Sequence, residues 1–274
     1  MSRSWKRRLT VGALVAVLLT VVGIVRAPAF ASGGHGAKPT VVLVHGAWAD
    51  ASGWNGVVKR LQDDGYPVAA IPNELRSLSG DAANVRAYLQ TIPGPIVLVG
   101  HSYGGAVITN AATGLPNVRA LVYIDAFAPD QGEDATSLAG PDSALSVPDP
   151  TTVFTLIPPT LPPTPATDLY LKTPTFLTSF ANGIPARDAR ILAATQRPAT
   201  IGALGEPSGV PAWKTIRSWY LIGTKDLIIP PSVERTMGQR AGSDISYFDA
   251  GHLGLISDPQ SVTRVIERAV KATA

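Results

Sequence analysis

Ile96-Val97-Leu98-Val99-Gly100-His101-Ser102-Tyr103-Gly104-Gly105 sets a short apolar run directly before a glycine-flanked serine. The run suits a strand over 96–99 and the residues after the serine suit a helix over 103–112, so G-x-S-x-G falls in the strand-to-helix context that this motif requires. Without side chains, the flanking glycines let the backbone bend steeply and let helix and strand pack closely. The serine oxygen is then presented at the carboxyl edge of a sheet, which makes Ser102 the candidate nucleophile.

The same alternation extends in both directions. Upstream, residues 40–44 form an unalternating, largely β-branched run ending at His45-Gly46, as expected of a strand covered on both faces. Trp54, Val57, Val58 and Leu61 then make the stripe of an amphipathic helix stopped by Gly65. A strand over 68–71 and a helix over 81–90, with Val85, Tyr88 and Leu89 inward, complete the upstream half. Downstream come strands over 120–124, 219–222 and 245–248 and helices over 232–241 and 260–269. Strands alternating with helices predict an α/β fold with a mainly parallel six-stranded sheet flanked by helices. The alternation is lost over 127–213, where Pro148, Pro150, Pro158, Pro159, Pro162, Pro163 and Pro165 are too many for regular helix or central strand. Residues 175–195 regain helical character, with Phe176, Phe180 and Ile191 able to face inward, and the whole insertion reads as a lid over the sheet.

A chain of 274 residues suits one catalytic domain. Residues 1–31 read as a secretory signal peptide: Arg3, Lys6, Arg7 and Arg8 precede an apolar run over 9–25, and Ala29-Phe30-Ala31 is a cleavage site, so cleavage is expected after Ala31. The rival is an uncleaved membrane anchor, since the run is at the lower limit of a bilayer span. Arg7-Arg8 leaves the twin-arginine route open. Residues 32–39 are expected to be a disordered tail and 40–274 the domain, secreted or extracytoplasmic.

Five of the 23 Lys and Arg, and none of the 20 Asp and Glu, lie in the first 31 residues, which leaves 18 against 20 in the mature chain. No basic patch therefore argues for nucleic acid or, after cleavage, a membrane as partner. Cysteine is absent, which excludes disulfides, a thiol nucleophile and a thiolate metal site.

Serine needs a base within hydrogen-bond reach. The chain has four histidines. His35 lies in the tail, His45 is tied to a strand end, and His101 adjoins the serine, where the turn should point its side chain elsewhere. His252, in Gly251-His252-Leu253-Gly254 after the last strand, is the candidate base. An acid must orient it: Asp226, directly after the penultimate strand, is preferred, and Asp125, at the end of the 120–124 strand, is the rival. Two N–H donors for a developing oxyanion are expected from the backbone of Tyr103 and of Ala47, with Trp48 possible by register. Trp48, Phe127, Phe154, Phe176, Phe180 and Trp213 are candidate pocket residues, fitting an uncharged, moderately hydrophobic acyl or alcohol group.

The run 41–48, the elbow 100–105, Lys225-Asp226 and Gly251-His252 together resemble the α/β-hydrolase superfamily, in particular a small bacterial esterase-like branch similar to plant methylesterases and hydroxynitrile lyases. The resemblance spans about residues 40–270. It implies a triad of Ser102, Asp226 and His252, a small-molecule ester as substrate, no cofactor and no metal, and a pocket between sheet and lid. Hydroxynitrile lyases of that branch place a lysine beside the catalytic histidine, whereas Gly251 and Leu253 flank His252 here, which counts against a lyase. A non-hydrolytic enzyme on the same fold (lyase, perhydrolase or cofactor-free oxygenase) is the second class, and a non-catalytic binding protein the third.

Overall fold

The computed structural model describes residues 38–273; the expected signal peptide and all but the end of the expected tail lie outside them. The first half alternates strand and helix: β1 (Thr40–Val44), α1 (Asn55–Asp63), β2 (Val68–Ile71), α2 (Leu78–Gln90), β3 (Ile96–Ser102), α3 (Tyr103–Ala111) and β4 (Val118–Ala126). An insertion follows, holding α4 (Ala135–Ala139), β5 (Phe154–Ile157), β6 (Asp168–Leu171), α5 (Thr173–Thr175), α6 (Ala186–Thr195), β7 (Ala199–Thr200) and α7 (Ile201–Gly205). Alternation then resumes with β8 (Ser218–Gly223), α8 (Pro231–Arg240), β9 (Asp244–Phe248), α9 (Gly254–Ser257) and α10 (Pro259–Thr273). Among the described residues no helix is long and apolar enough to cross a membrane.

The main sheet has six strands in the order β2-β1-β3-β4-β8-β9, every neighbouring pair parallel. All residues of β3 and β8 are buried, as are those of β4 except Arg119, so both faces are covered and the continuous apolar runs have their explanation. The edge strand β9 is mostly part-exposed. From β1 the chain moves outward to β2 and then returns to β3 on the other side, so the strand order reverses between β1 and β3. The carboxyl ends at such a reversal leave a crevice, and His45-Gly46-Ala47 and Ser102 follow those two strands.

The expected elements are present, with boundaries moved by local chemistry. Helix α2 starts at Leu78 rather than 81 because the Ser77 side chain caps it, accepting from Gly80 N at 3.1 Å. Its buried stripe is Leu78, Asp81, Ala82, Val85 and Leu89; Tyr88 falls beside it and is 40% exposed, contrary to the inward placement expected. Gly65 adopts φ +74° just past α1, the left-handed conformation that ends a helix without steric penalty.

The proline-rich stretch departs most from expectation. Three short strands, β5-β6-β7, form an antiparallel sheet of their own. Pro158, Pro159, Pro162, Pro163 and Pro165 all fall in the connection between β5 and β6, so they punctuate the strands instead of excluding them. β5 shows the period of two, with Phe154 and Leu156 buried and Thr155 and Ile157 exposed. Phe176 and Phe180 do face inward, on a π-helical turn. Ile191 does not: α6 packs through Ala189 and Ala193, four residues apart on one face, which leaves Ile191 55% exposed on another.

Candidate active site

Ser102 ends β3 directly before α3, at φ 53°, ψ −127°, a conformation that costs a non-glycine residue on the order of 1–3 kcal/mol and is held by its surroundings. The neighbouring glycines make the turn sterically feasible. A Cβ on Gly100 would lie 2.5 Å from the Gly104 oxygen, and one on Gly104 would lie 2.5 Å from the Val44 oxygen. A Cβ on Gly46 would meet the Ser102 Cβ at 2.5 Å, so the loop after β1 can approach the serine only as glycine. The Ser102 carbonyl accepts from Phe127 N at 3.1 Å, tying the turn to the start of the insertion.

The structure brings Ser102, His252 and Asp226 together from three distant parts of the chain. His252 Nε2 lies 3.0 Å from Ser102 Oγ, and His252 Nδ1 lies 2.7 Å from Asp226 Oδ2. An ionised carboxylate only accepts, so Nδ1 carries the proton and the Nε2 lone pair is left to accept from the serine hydroxyl. Asp226 is held in turn: its Oδ1 accepts from Ile228 N at 2.7 Å and Ile229 N at 3.0 Å. The side chains of His252 and Asp226 are fully buried.

Asp125 makes no hydrogen bond to His252. Its Oδ1 instead accepts from Gly223 N at 2.6 Å, anchoring the start of the loop that carries Asp226. Among the described residues one acidic group could share a cation: one oxygen each of Asp125, Asp226 and Glu234 lies within 4.8 Å of the others.

The remaining described histidines have structural partners. His45 Nδ1 donates to Gly46 O at 2.8 Å while Nε2 accepts from Asn73 N at 2.9 Å, so the ring is neutral, and burial pushes its pKa down. His101 turns away from the serine, as expected, but stays near the site, donating from Nε2 to the His252 carbonyl at 2.8 Å. Burial, with the nearby His252 second, holds its pKa well below the usual histidine value. This brace on the His252 loop has no local signature in the sequence. His35 lies outside the described residues.

Ser102 opens on a cavity of about 50 Å³ lined by Ala47, Trp48, Tyr103, Phe127, Ala135, Ala139, Leu204 and Ile228. Neither Ala47 nor Trp48 donates its N–H to a backbone acceptor. Tyr103, the first residue of α3, is fixed by its hydroxyl, which donates to Asp81 Oδ2 at 2.8 Å. Trp48 stacks on Phe154 with ring centroids 5.7 Å apart and donates from Nε1 to Leu169 O at 2.8 Å, clamping the small sheet to the loop after β1.

The other expected pocket residues divide. Phe180 packs its ring 5.1 Å from that of His252, and with Phe176 lines a separate cleft of about 30 Å³. Phe154 lines a further apolar cavity of about 410 Å³, which shares Leu204 with the cavity at Ser102. Trp213 lines none of these: its Nε1 donates to Pro129 O at 3.0 Å and its ring packs against Lys214 and Arg240, which anchors the insertion. Leu204, Ile228, Ala135 and Ala139 were not anticipated, since small and aliphatic residues on short loops and helices carry no pattern that marks a pocket wall.

The model of the alpha/beta hydrolase family matches residues 41–265. The chain is 34% identical over 110 residues to the carbendazim-hydrolysing esterase of Nocardioides sp. (strain SG-4G), a match that covers 35% of this chain and about half, 46%, of that protein. In fold it resembles polyneuridine aldehyde esterase, with a TM-score of 0.72 at 19% identity over 84% of this chain and 98% of that one. It also resembles the Arabidopsis methylesterase MES16, with a TM-score of 0.70 at 18% identity over 85% of this chain and 99% of that one. With the family model matched from β1 into the last helix, this chain belongs to the alpha/beta hydrolase family.

Proposed function

We propose that the protein is an exported serine hydrolase that cleaves uncharged carboxylic esters, with Ser102 as nucleophile, His252 as general base and acid, and Asp226 as the acid that orients it. The observation that carries this reading is the buried hydroxyl–imidazole–carboxylate chain, 3.0 Å and 2.7 Å per link. In the first step Ser102 Oγ attacks the ester carbonyl as its proton passes to His252 Nε2, and Asp226 stabilises the imidazolium. The N–H groups of Tyr103 and Ala47 are assigned to the oxyanion. His252 then protonates the leaving alkoxide, and water repeats the sequence on the acyl-enzyme. The apolar walls around Ser102 support an uncharged substrate, and the names of two similar proteins, both called esterases, support the ester bond.

The insertion is assigned the part of a lid, supported by the packing of Phe180 on His252 and of Phe154 on Trp48. Export rests on the leader read in residues 1–31 and is checked by N-terminal sequencing of the mature protein: the first residue is Ser32, and a retained leader overturns the assignment.

The mechanism is tested with p-nitrophenyl esters. Ser102→Ala is expected to lower kcat by roughly 10⁴-fold or more, with loss of labelling by a fluorophosphonate. Parent-level turnover in Ser102→Ala would overturn it. Labelling of the parent with no ester cleavage would point instead to a non-hydrolytic enzyme on the same fold.

A further inference from the structure

Three carboxylic acids meet behind the His252 loop, and the reaction proposed above uses only one. Asp125 comes from the end of β4, Asp226 from the loop after β8 and Glu234 from α8; they are 0%, 3% and 0% exposed, with one oxygen of each within 4.8 Å of the others. Asp226 is well supplied with donors, from Ile228, Ile229 and His252. Asp125 has Gly223 N on one oxygen and no donor on the other, and Glu234 has no donor on either.

The titratable groups facing Glu234 are these two acids and, from β8, Tyr220, whose hydroxyl is committed to the Ala126 carbonyl. No lysine or arginine is paired with Glu234 among the described residues. Adjacent buried carboxyl groups cannot all be ionised without a cation. A divalent ion bound here would draw on Asp226, whose oxygens already accept three hydrogen bonds. A single proton meets the demand more simply, because it turns Glu234 from an acceptor without a donor into a donor.

We propose that Glu234 is held as the neutral acid and donates its O–H to the Asp226 carboxylate, which makes it a positioning residue for His252. Burial and the neighbouring Asp125 and Asp226 push its carboxyl well above the usual carboxylate range, in keeping with three carboxyl oxygens that lie within 4.8 Å of one another. The consequence for the reaction, which rests on the triad proposed above, is that part of the Asp226 charge is spent on Glu234. Less of that charge then faces His252, and removing the donor would return it.

The test compares the acid limb of the kcat/KM pH profile in the parent, Glu234→Gln and Glu234→Met. Gln keeps a neutral donor of nearly the same shape and should keep the inflection of the parent. Met removes the donor and should move the inflection upward by about half to one pH unit. A downward movement in Glu234→Gln would mean that an anion had been removed, and an unmoved inflection in Glu234→Met would mean that no donor had been lost; either overturns the proposal. A parent profile that changes with EDTA or added Ca²⁺ also overturns it, in favour of a cation.

Should Glu234→Met not fold, infrared difference spectroscopy of parent against Glu234→Gln decides: a carboxylic-acid carbonyl band present only in the parent supports the proposal, and no such band overturns it. The same spectra on the Ser102→Ala background separate the two readings, because the protonation of Glu234 is read there without turnover.

Discussion

Asp226 receives three hydrogen bonds, two of them from backbone N–H groups that fix the carboxylate before the histidine arrives. This geometry predicts that the acid does not tolerate exchange for its amide. In Asp226→Asn the side chain would have to keep its oxygen toward Ile228 and Ile229, presenting NH₂ to His252 Nδ1. The ring would then take the tautomer with its proton on Nε2, facing Ser102, and could no longer accept from it. We expect kcat to fall by roughly 10⁴-fold with the fold intact, measured by steady-state kinetics alongside thermal unfolding. A loss of less than about tenfold would return the orienting role to Asp125. At this scale the grouping is largely legible: spacing and position single out Ser102, His252 and Asp226, which the structure brings within hydrogen-bond reach of one another. Choosing between Asp226 and Asp125 was not, because both follow strands of one sheet and only side-chain direction separates them.

At the scale of elements, the insertion supplies walls to both of the cavities that share Leu204. Its small sheet is fastened to the core through Trp48, and α7 carries Leu204, which lines both the 50 Å³ cavity at Ser102 and the 410 Å³ cavity. If Leu204 is the partition, Leu204→Ala should join the two spaces and raise kcat/KM for octanoate relative to acetate esters by roughly tenfold, in the range that burying or excluding a few methylenes commands. Leu204→Trp should shift the ratio the other way. An unchanged acyl-length profile in both variants would show that the larger cavity takes no part in binding. This segment was also the least legible in sequence. The prolines marked breaks between strands, but strands of two to four residues held by their own hydrogen bonds are too short to show a period above the noise of a loop.

For the molecule as a whole, the buried titratable groups set the pH dependence of stability. His45 and His101 are neutral when folded, with pKa values below the ordinary 6.5. The unfolded chain therefore binds more protons, and their contribution is lost as pH falls below about 6.5. Asp125 and Glu234 are shifted the opposite way, above the ordinary 3.8 and 4.5. Their contribution is present below those values and is lost as pH rises toward the raised ones, at up to about 1.4 kcal/mol per pH unit for the proton that the cluster holds. Above about pH 6.5 only the acids' slope is left of these two effects, so urea midpoints should decline with rising pH until the raised values are passed. Glu234→Gln should make that decline shallower; an equal slope in both proteins would mean that Glu234 is ionised when folded.

What the sequence determined by itself was whatever short-range chemistry dictates. Strands covered on both faces need unbroken apolar runs, and a turn in which a neighbouring atom lies 2.5 Å from where a Cβ would stand needs glycine at Gly46, Gly100 and Gly104. Both requirements leave their mark within a few residues. Only the tertiary structure decided that Asp226 and not Asp125 faces His252, that Trp213 anchors the insertion, and that Glu234 closes a cluster of acids behind the site. Those outcomes depend on how elements dozens of residues apart are brought together across the sheet, and packing of that range is written in no local pattern.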